Sequence, residues 1–228
     1  MRQGVLPDPT CRVPWPIAME GTKPVNKKLA AALSGGAVLV LALTGCTSDE
    51  GNKELDAWAK KVCDAVPAQN AKISAAYVAI TKAAKDTTST PKELQEADSK
   101  AFQDLAEGYK ARASLISGAG APPGVENGAK VQQDVVKKLT SLSAAYADLK
   151  ERVDKLDTKD QGKFASGLKD VSAEMKQVET QRQSAVTALK KLESGDTKKA
   201  LTSQEGCKQA AEASGAAGAT GSCLLYTS

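Results

Sequence analysis

Cysteine is the residue type in this chain best placed to do chemistry, and there are five: Cys11, Cys46, Cys63, Cys207 and Cys223. Their spacing fits no CxxC redox or zinc motif. Histidine is absent, which removes Ser-His-Asp and Cys-His nucleophile systems, His-liganded zinc and haem, and the usual near-neutral proton shuttle. Asp157-Thr158-Lys159-Asp160-Gln161-Gly162 puts a glycine at the sixth place of a calcium loop, but Lys159 occupies a ligand place and Leu168 stands where the bidentate glutamate belongs. The glycines from Gly124 to Lys130 have the wrong spacing for a P-loop, Gly118-Ala119-Gly120 lacks the third glycine of a dinucleotide fingerprint, and there is no GxSxG elbow. Carboxylates are spread over the chain with no pattern that marks a pair as acid and base. The sequence therefore assigns no catalytic, cofactor-binding or metal-ligating residue, and an enzyme is not expected.

Cys46 has a context of its own. Lys27 and Lys28 precede an apolar run of about 15 residues, Leu29 to Leu43, shorter than the roughly 20 that span a bilayer but right for a signal-peptide core. Leu43-Thr44-Gly45-Cys46 follows at once, and then the polar stretch Thr47-Ser48-Asp49-Glu50-Gly51-Asn52. A buried helix followed by a chance cysteine would not require charge, core, small residues and polar tether in that order. Leu43-Thr44-Gly45-Cys46 resembles the lipobox of bacterial lipoproteins. The resemblance implies that Leu43 fills an apolar subsite of the signal peptidase and that Thr44 and Gly45 let the enzyme reach the backbone. It further implies cleavage between Gly45 and Cys46, a thioether-linked diacylglycerol on Cys46, and often acylation of the new amino terminus.

Both ends of the chain read as appendages. Residues 1–24, with Pro7, Pro9, Pro14 and Pro16, have no periodicity or targeting pattern and are expected to be translated leader. The signal peptide is placed at 25–45, starting at Val25 or alternatively from Met19, and the lipidated tether at 46–52. Cys223-Leu224-Leu225-Tyr226-Thr227-Ser228 is identical to one frame of a transposase adapter used in DNA library preparation, so 223–228 is expected to be an artefact, preceded by a flexible Ala/Gly/Ser tail over 214–222. With Cys11 upstream, Cys46 lipidated and Cys223 in the adapter, Cys63 and Cys207 remain. In an oxidising compartment these two are expected to form a disulfide; in a cytosolic protein they would be free thiols.

The elements between them are helical. The chain is 41% hydrophobic and 25% charged but only 4% aromatic, with alanine supplying much of the apolar share, a composition that favours helix over sandwich or barrel. The net charge of +4 is not a nucleic-acid signature. Five of the 31 basic and two of the 27 acidic residues precede Cys46, leaving 26 against 25, and the remaining lysines interleave with Asp and Glu as on solvated helix faces. Helix one is expected from Lys53 to Lys85, kinked or divided by Pro67. Thr90-Pro91-Lys92-Glu93 is the start signal of helix two, which runs to Ser117. The Gly/Pro-rich stretch 118–124 is a break. Helix three spans Val125 to Leu156 and helix four Lys159 to Glu193, each with a heptad seam that includes Leu142 and Met175 respectively. A short final helix from Lys198 to Ala213 brings Cys207 back to helix one. The expected fold is all-α: an elongated antiparallel bundle of about four long helices over residues 53–213, tied by one disulfide.

From the lipobox through Trp58-Ala59-Lys60-Lys61-Val62-Cys63 to Cys207 the chain resembles small secreted lipoproteins of actinobacteria, most like those of streptomycetes. That family is largely without assigned activity and supplies no catalytic residue. The expectation is a lipoprotein held by membrane lipid at Cys46 on the outer face of the plasma membrane. It would act without catalysis or nucleic acid, as a structural or interaction module toward an envelope protein or surface ligand. The alternative is a small-ligand-binding or sensory bundle, which requires a polar interior pocket; a void beside Arg182, the charged residue in the seam of helix four, would favour it. Trp58, close to the tether, is suited either to the membrane interface or to packing beside Cys63.

Overall fold

The computed structural model describes residues 48–215. Among them there are seven helices and no strand: α1 (Ser48–Cys63), α2 (Val66–Lys85), α3 (Pro91–Ala119), α4 (Gly128–Asp154), α5 (Gln161–Leu192), α6 (Gly195–Ser203) and α7 (Glu205–Gly215). The all-α, disulfide-tied bundle expected from the sequence is the fold.

Local sequence explains most boundaries. Pro67 divides the first helical stretch, as expected: α1 stops at Cys63, a turn takes Asp64 and Ala65, and α2 carries the proline in its first turn, where its missing N–H costs nothing. The α3 start is a full capping box. The Glu93 N–H donates to Thr90 Oγ1 at 3.3 Å while Glu93 Oε2 accepts from the Thr90 N–H at 2.7 Å, satisfying two donors that a helix end leaves orphaned. Asp160 caps α5 by accepting from the Lys163 N–H at 3.0 Å.

The differences from the sequence reading are local. α1 begins at Ser48, inside the stretch assigned to the tether, and α7 runs to Gly215, two residues into the assigned tail. The final helix is two helices, α6 and α7, separated at Gln204, whose extended backbone interrupts the ladder. The seam of α5 is also not uniformly interior: Val171, Val178, Ala185 and Leu189 are buried, but Leu168 and Met175 are half-exposed.

Interhelical contacts fix the antiparallel order. The start of α4 lies against the end of α3, where the Gln132 side-chain amide donates to the Ile116 carbonyl at 3.2 Å, and its far end lies against the start of α3, where Gln95 reaches the Val153 carbonyl at 2.8 Å. Lys138 with Ser184 at 2.8 Å and Arg152 with Glu174 at 2.6 Å run α5 antiparallel to α4. Asn70 with Arg112 and Lys72 with Glu107 do the same for α2 and α3. Helices α2 to α5 therefore pack in chain order, while α2 and α5, the outer pair, scarcely touch. The shared interior holds Ile73, Phe102, Leu105, Ile116, Leu139, Leu142 and Leu149, all at most 1% exposed. Fully burying such side chains contributes about 1.5–3 kcal/mol each.

α1, α6 and α7 close one end. Trp58 is 5% exposed and its indole N–H donates to the Gly120 carbonyl at 3.0 Å, anchoring α1 on the α3–α4 connection. Trp58 is thus a packing residue. Cys63 and Cys207 form a disulfide with Cα atoms 4.9 Å apart. A side chain at Gly206 would overlap the Cys63 carbonyl, so glycine is what lets α7 bring Cys207 against α1.

Candidate functional site

Polar groups meet inside the bundle where α2, α3, α4 and α5 converge. Each supplies one residue from its interior face: Tyr77, Tyr109, Tyr146 and Arg182. The Tyr77 hydroxyl lies 3.0 Å from the Tyr109 hydroxyl and 2.7 Å from the Tyr146 hydroxyl, so it hydrogen-bonds to both. The Tyr109 and Tyr146 rings stack with centroids 5.6 Å apart, Tyr77 stands edge-on to Tyr146 at 6.4 Å, and Phe102 flanks Tyr146 at 6.3 Å. Burial raises all three phenols above their ordinary range because desolvation disfavours the phenolate. They are neutral hydrogen-bonding groups at any physiological pH.

Arg182 is 8% exposed and adjoins the phenols. Its Nε donates to Glu179 Oε2 at 2.6 Å and its Nη2 to Glu179 Oε1 at 2.7 Å. This bidentate pair raises the guanidinium above its usual value and lowers the Glu179 carboxyl below its own. Arg182 Nη1 is buried without a partner. The charge is thus matched within one helix turn and its remaining donor points to no protein acceptor. A buried pair of this kind adds little net stability, because desolvation of the charges offsets their attraction. The four cavities described, of about 130 to 390 Å³, lie elsewhere and none is lined by Arg182.

A second buried polar contact went unread in the sequence. Arg112, 2% exposed, reaches from α3 to the Asn70 side-chain carbonyl on α2, itself 4% exposed, and to Gln69 Oε1 at 3.5 Å. The signal was present: Arg112 falls between Tyr109 and Ile116 at seam spacing, and Asn70 between Val66 and Ile73. The two substitutions coincide across the α2–α3 interface, a pairing that a single sequence does not reveal.

The chemistry available to these groups is hydrogen bonding and charge matching. Among the described residues no group of three or more His, Cys, Asp or Glu side chains could hold a metal ion. Of the residues singled out in the sequence, Cys63 and Cys207 are joined, while Leu43, Thr44, Gly45 and Cys46 lie outside the described residues. Among the described residues no helix is long and apolar enough to cross a membrane.

Fold and interior together define an all-α, disulfide-tied bundle with a neutral phenol cluster and an internally neutralised arginine at its centre. No protein-family model, curated protein or solved structure matches the chain.

Proposed function

We infer that this chain is a bacterial lipoprotein anchored by diacylglycerol at Cys46 to the outer face of the plasma membrane, where its bundle serves as a structural or interaction module of the envelope and not as an enzyme. The observation that carries the reading is the Cys63–Cys207 disulfide, which uses the two cysteines left once Cys11 and Cys223 are assigned to the appendages and Cys46 to lipid, and which belongs to an oxidising compartment. The described part of α1 reaches back to Ser48, two residues after the position assigned to lipid, which suits a bundle held close to the membrane surface. The body's lysines suit surface display: Lys60 with Asp64, Lys150 with Asp154 and Lys155 with Glu151 form exposed pairs one helix turn apart, worth a few tenths of a kcal/mol each.

Detergent phase partitioning of cells producing the wild-type chain and the Cys46→Ala variant tests this reading. Wild type enters the detergent phase as the shortened form, whereas Cys46→Ala accumulates as uncleaved precursor or leaves the membrane fraction. Indistinguishable processing and partitioning of the two would reject the anchor.

A further inference from the structure

The outer helices α2 and α5 scarcely touch, and along the seam between them a groove of about 310 Å³ opens down to α3. Its walls are apolar: Ile80 on α2, Phe102 on α3, and Leu168, Val171 and Met175 on α5. The half-exposure of Leu168 and Met175, which breaks the α5 seam, is exposure to this groove. Two carboxylates line it, Asp86 and Asp98, and no lysine or arginine does.

The two carboxylates differ in their commitments. Asp86 accepts from the Thr88 N–H and hydroxyl, both at 2.8 Å, and from the Ser89 hydroxyl at 2.7 Å. These bonds hold its carboxyl far below the usual range, so it is a fixed negative charge at the rim. Asp98 is half-buried, stands between Leu94 and Phe102 on the same face of α3, and has no hydrogen bond or ion pair among the described residues. The one other half-buried carboxylate on α3, Asp104, is matched by Lys100 and Lys72. A carboxylate partly removed from water with nothing opposite it lacks the cation that would compensate its desolvation.

We propose that the α2–α3–α5 groove is a binding site for a small apolar cation, a primary alkylammonium or its like, whose ammonium sits on Asp98 and whose hydrocarbon lies against Ile80, Leu168 and Met175. The volume is at the lower end of the range for small-molecule sites. The ammonium gains a charge-assisted bond in a partly desolvated setting, where it is stronger than in water, while an anion of the same shape meets two like charges. The site does not depend on the anchor.

The test uses hexylamine, with hexanol and hexanoate as isosteric neutral and anionic probes, on the full chain labelled at its methionine methyl groups. Met175 reports from inside the groove, and its signal among the three methionines is assigned with Met175→Leu. Hexylamine should shift the Met175 methyl signal saturably, hexanol should bind at least tenfold more weakly, and hexanoate should not bind. Asp98→Asn, which keeps the shape and removes the charge, should reduce hexylamine to the affinity of hexanol. Ser172→Trp, filling the groove from an exposed lining position, should abolish the response to both probes. The proposal is overturned by the absence of a saturable Met175 shift, by equal affinities for hexylamine and hexanol, by unchanged hexylamine affinity in Asp98→Asn, or by unchanged binding in Ser172→Trp.

Discussion

Replacing both cysteines, Cys63→Ala with Cys207→Ala, perturbs the one covalent link between the first helix of the bundle and the last. The two positions are separated by 144 residues, so the link removes a large share of the unfolded chain's freedom; the chain-entropy relation gives about 5 kcal/mol at 25 °C for such a loop, and removal of natural disulfides costs about 2–5 kcal/mol. The folded side of the balance points the same way. Both cysteines are fully buried, so alanine leaves unfilled space between α1 and α7. The α6–α7 segment is then held only by side chains such as Thr197, Leu201 and Ala210. Urea unfolding of the oxidised wild type and the double variant, followed by far-ultraviolet circular dichroism, reads the difference. With a slope of about 2–3 kcal/mol/M, the midpoint should fall by about 1–2 M. A midpoint within 0.2 M (about 0.5 kcal/mol) of wild type would refute the reasoning, as would free, alkylatable thiols at both sites in the native protein.

Leu142→Asp, at a fully buried position of α4, should cost several kcal/mol, whereas Met175→Asp, facing the groove, should cost markedly less; equal losses in thermal melts would contradict the placement of Met175. Arg182→Met removes the unpartnered Nη1 donor and frees Glu179, half-exposed, to be solvated. Its stability should be unchanged or up to about 2 kcal/mol higher, and a loss above 2 kcal/mol would show that the arginine stabilises the bundle. Desolvation raises the Asp98 carboxyl, so between its unfolded and folded values the native state binds more protons and this residue's contribution to stability falls as pH rises. Asp98→Asn should therefore be more stable than wild type at neutral pH, with the gap closing on acidification through that window; a gap that widens toward acid would reverse the sign and reject the account of Asp98.

The helices were legible where local chemistry and long-range packing agree. Thr90 and Glu93 state the α3 start within four residues, Pro67 states the α1–α2 division, and Val135, Leu139, Leu142, Tyr146 and Leu149 keep one spacing that only a helix can bury on one side. The α6–α7 break was not legible, because it has no proline or glycine at Gln204; it arises where Gly206 must approach the Cys63 backbone, a contact between residues far apart in sequence. The phenol cluster was half legible. Tyr77, Tyr109 and Tyr146 fall at seam spacing in their helices, but that their hydroxyls meet depends on the relative register of three helices. Arg182 stood out alone, but its neutraliser Glu179 reads as one of many surface acids until the side chains are placed. Asp98 was invisible for the same reason: only the gap between α2 and α5 makes it different from other carboxylates on α3.

The most direct test of the lipoprotein reading is the mass of the amino-terminal peptide of the protein taken from the membranes of its native cells. The account predicts a peptide that begins at Cys46 and carries diacylglycerol in thioether linkage, with or without an additional acyl chain on the new amino group. An unmodified Cys46 inside a peptide continuous with Leu43-Thr44-Gly45 would contradict it.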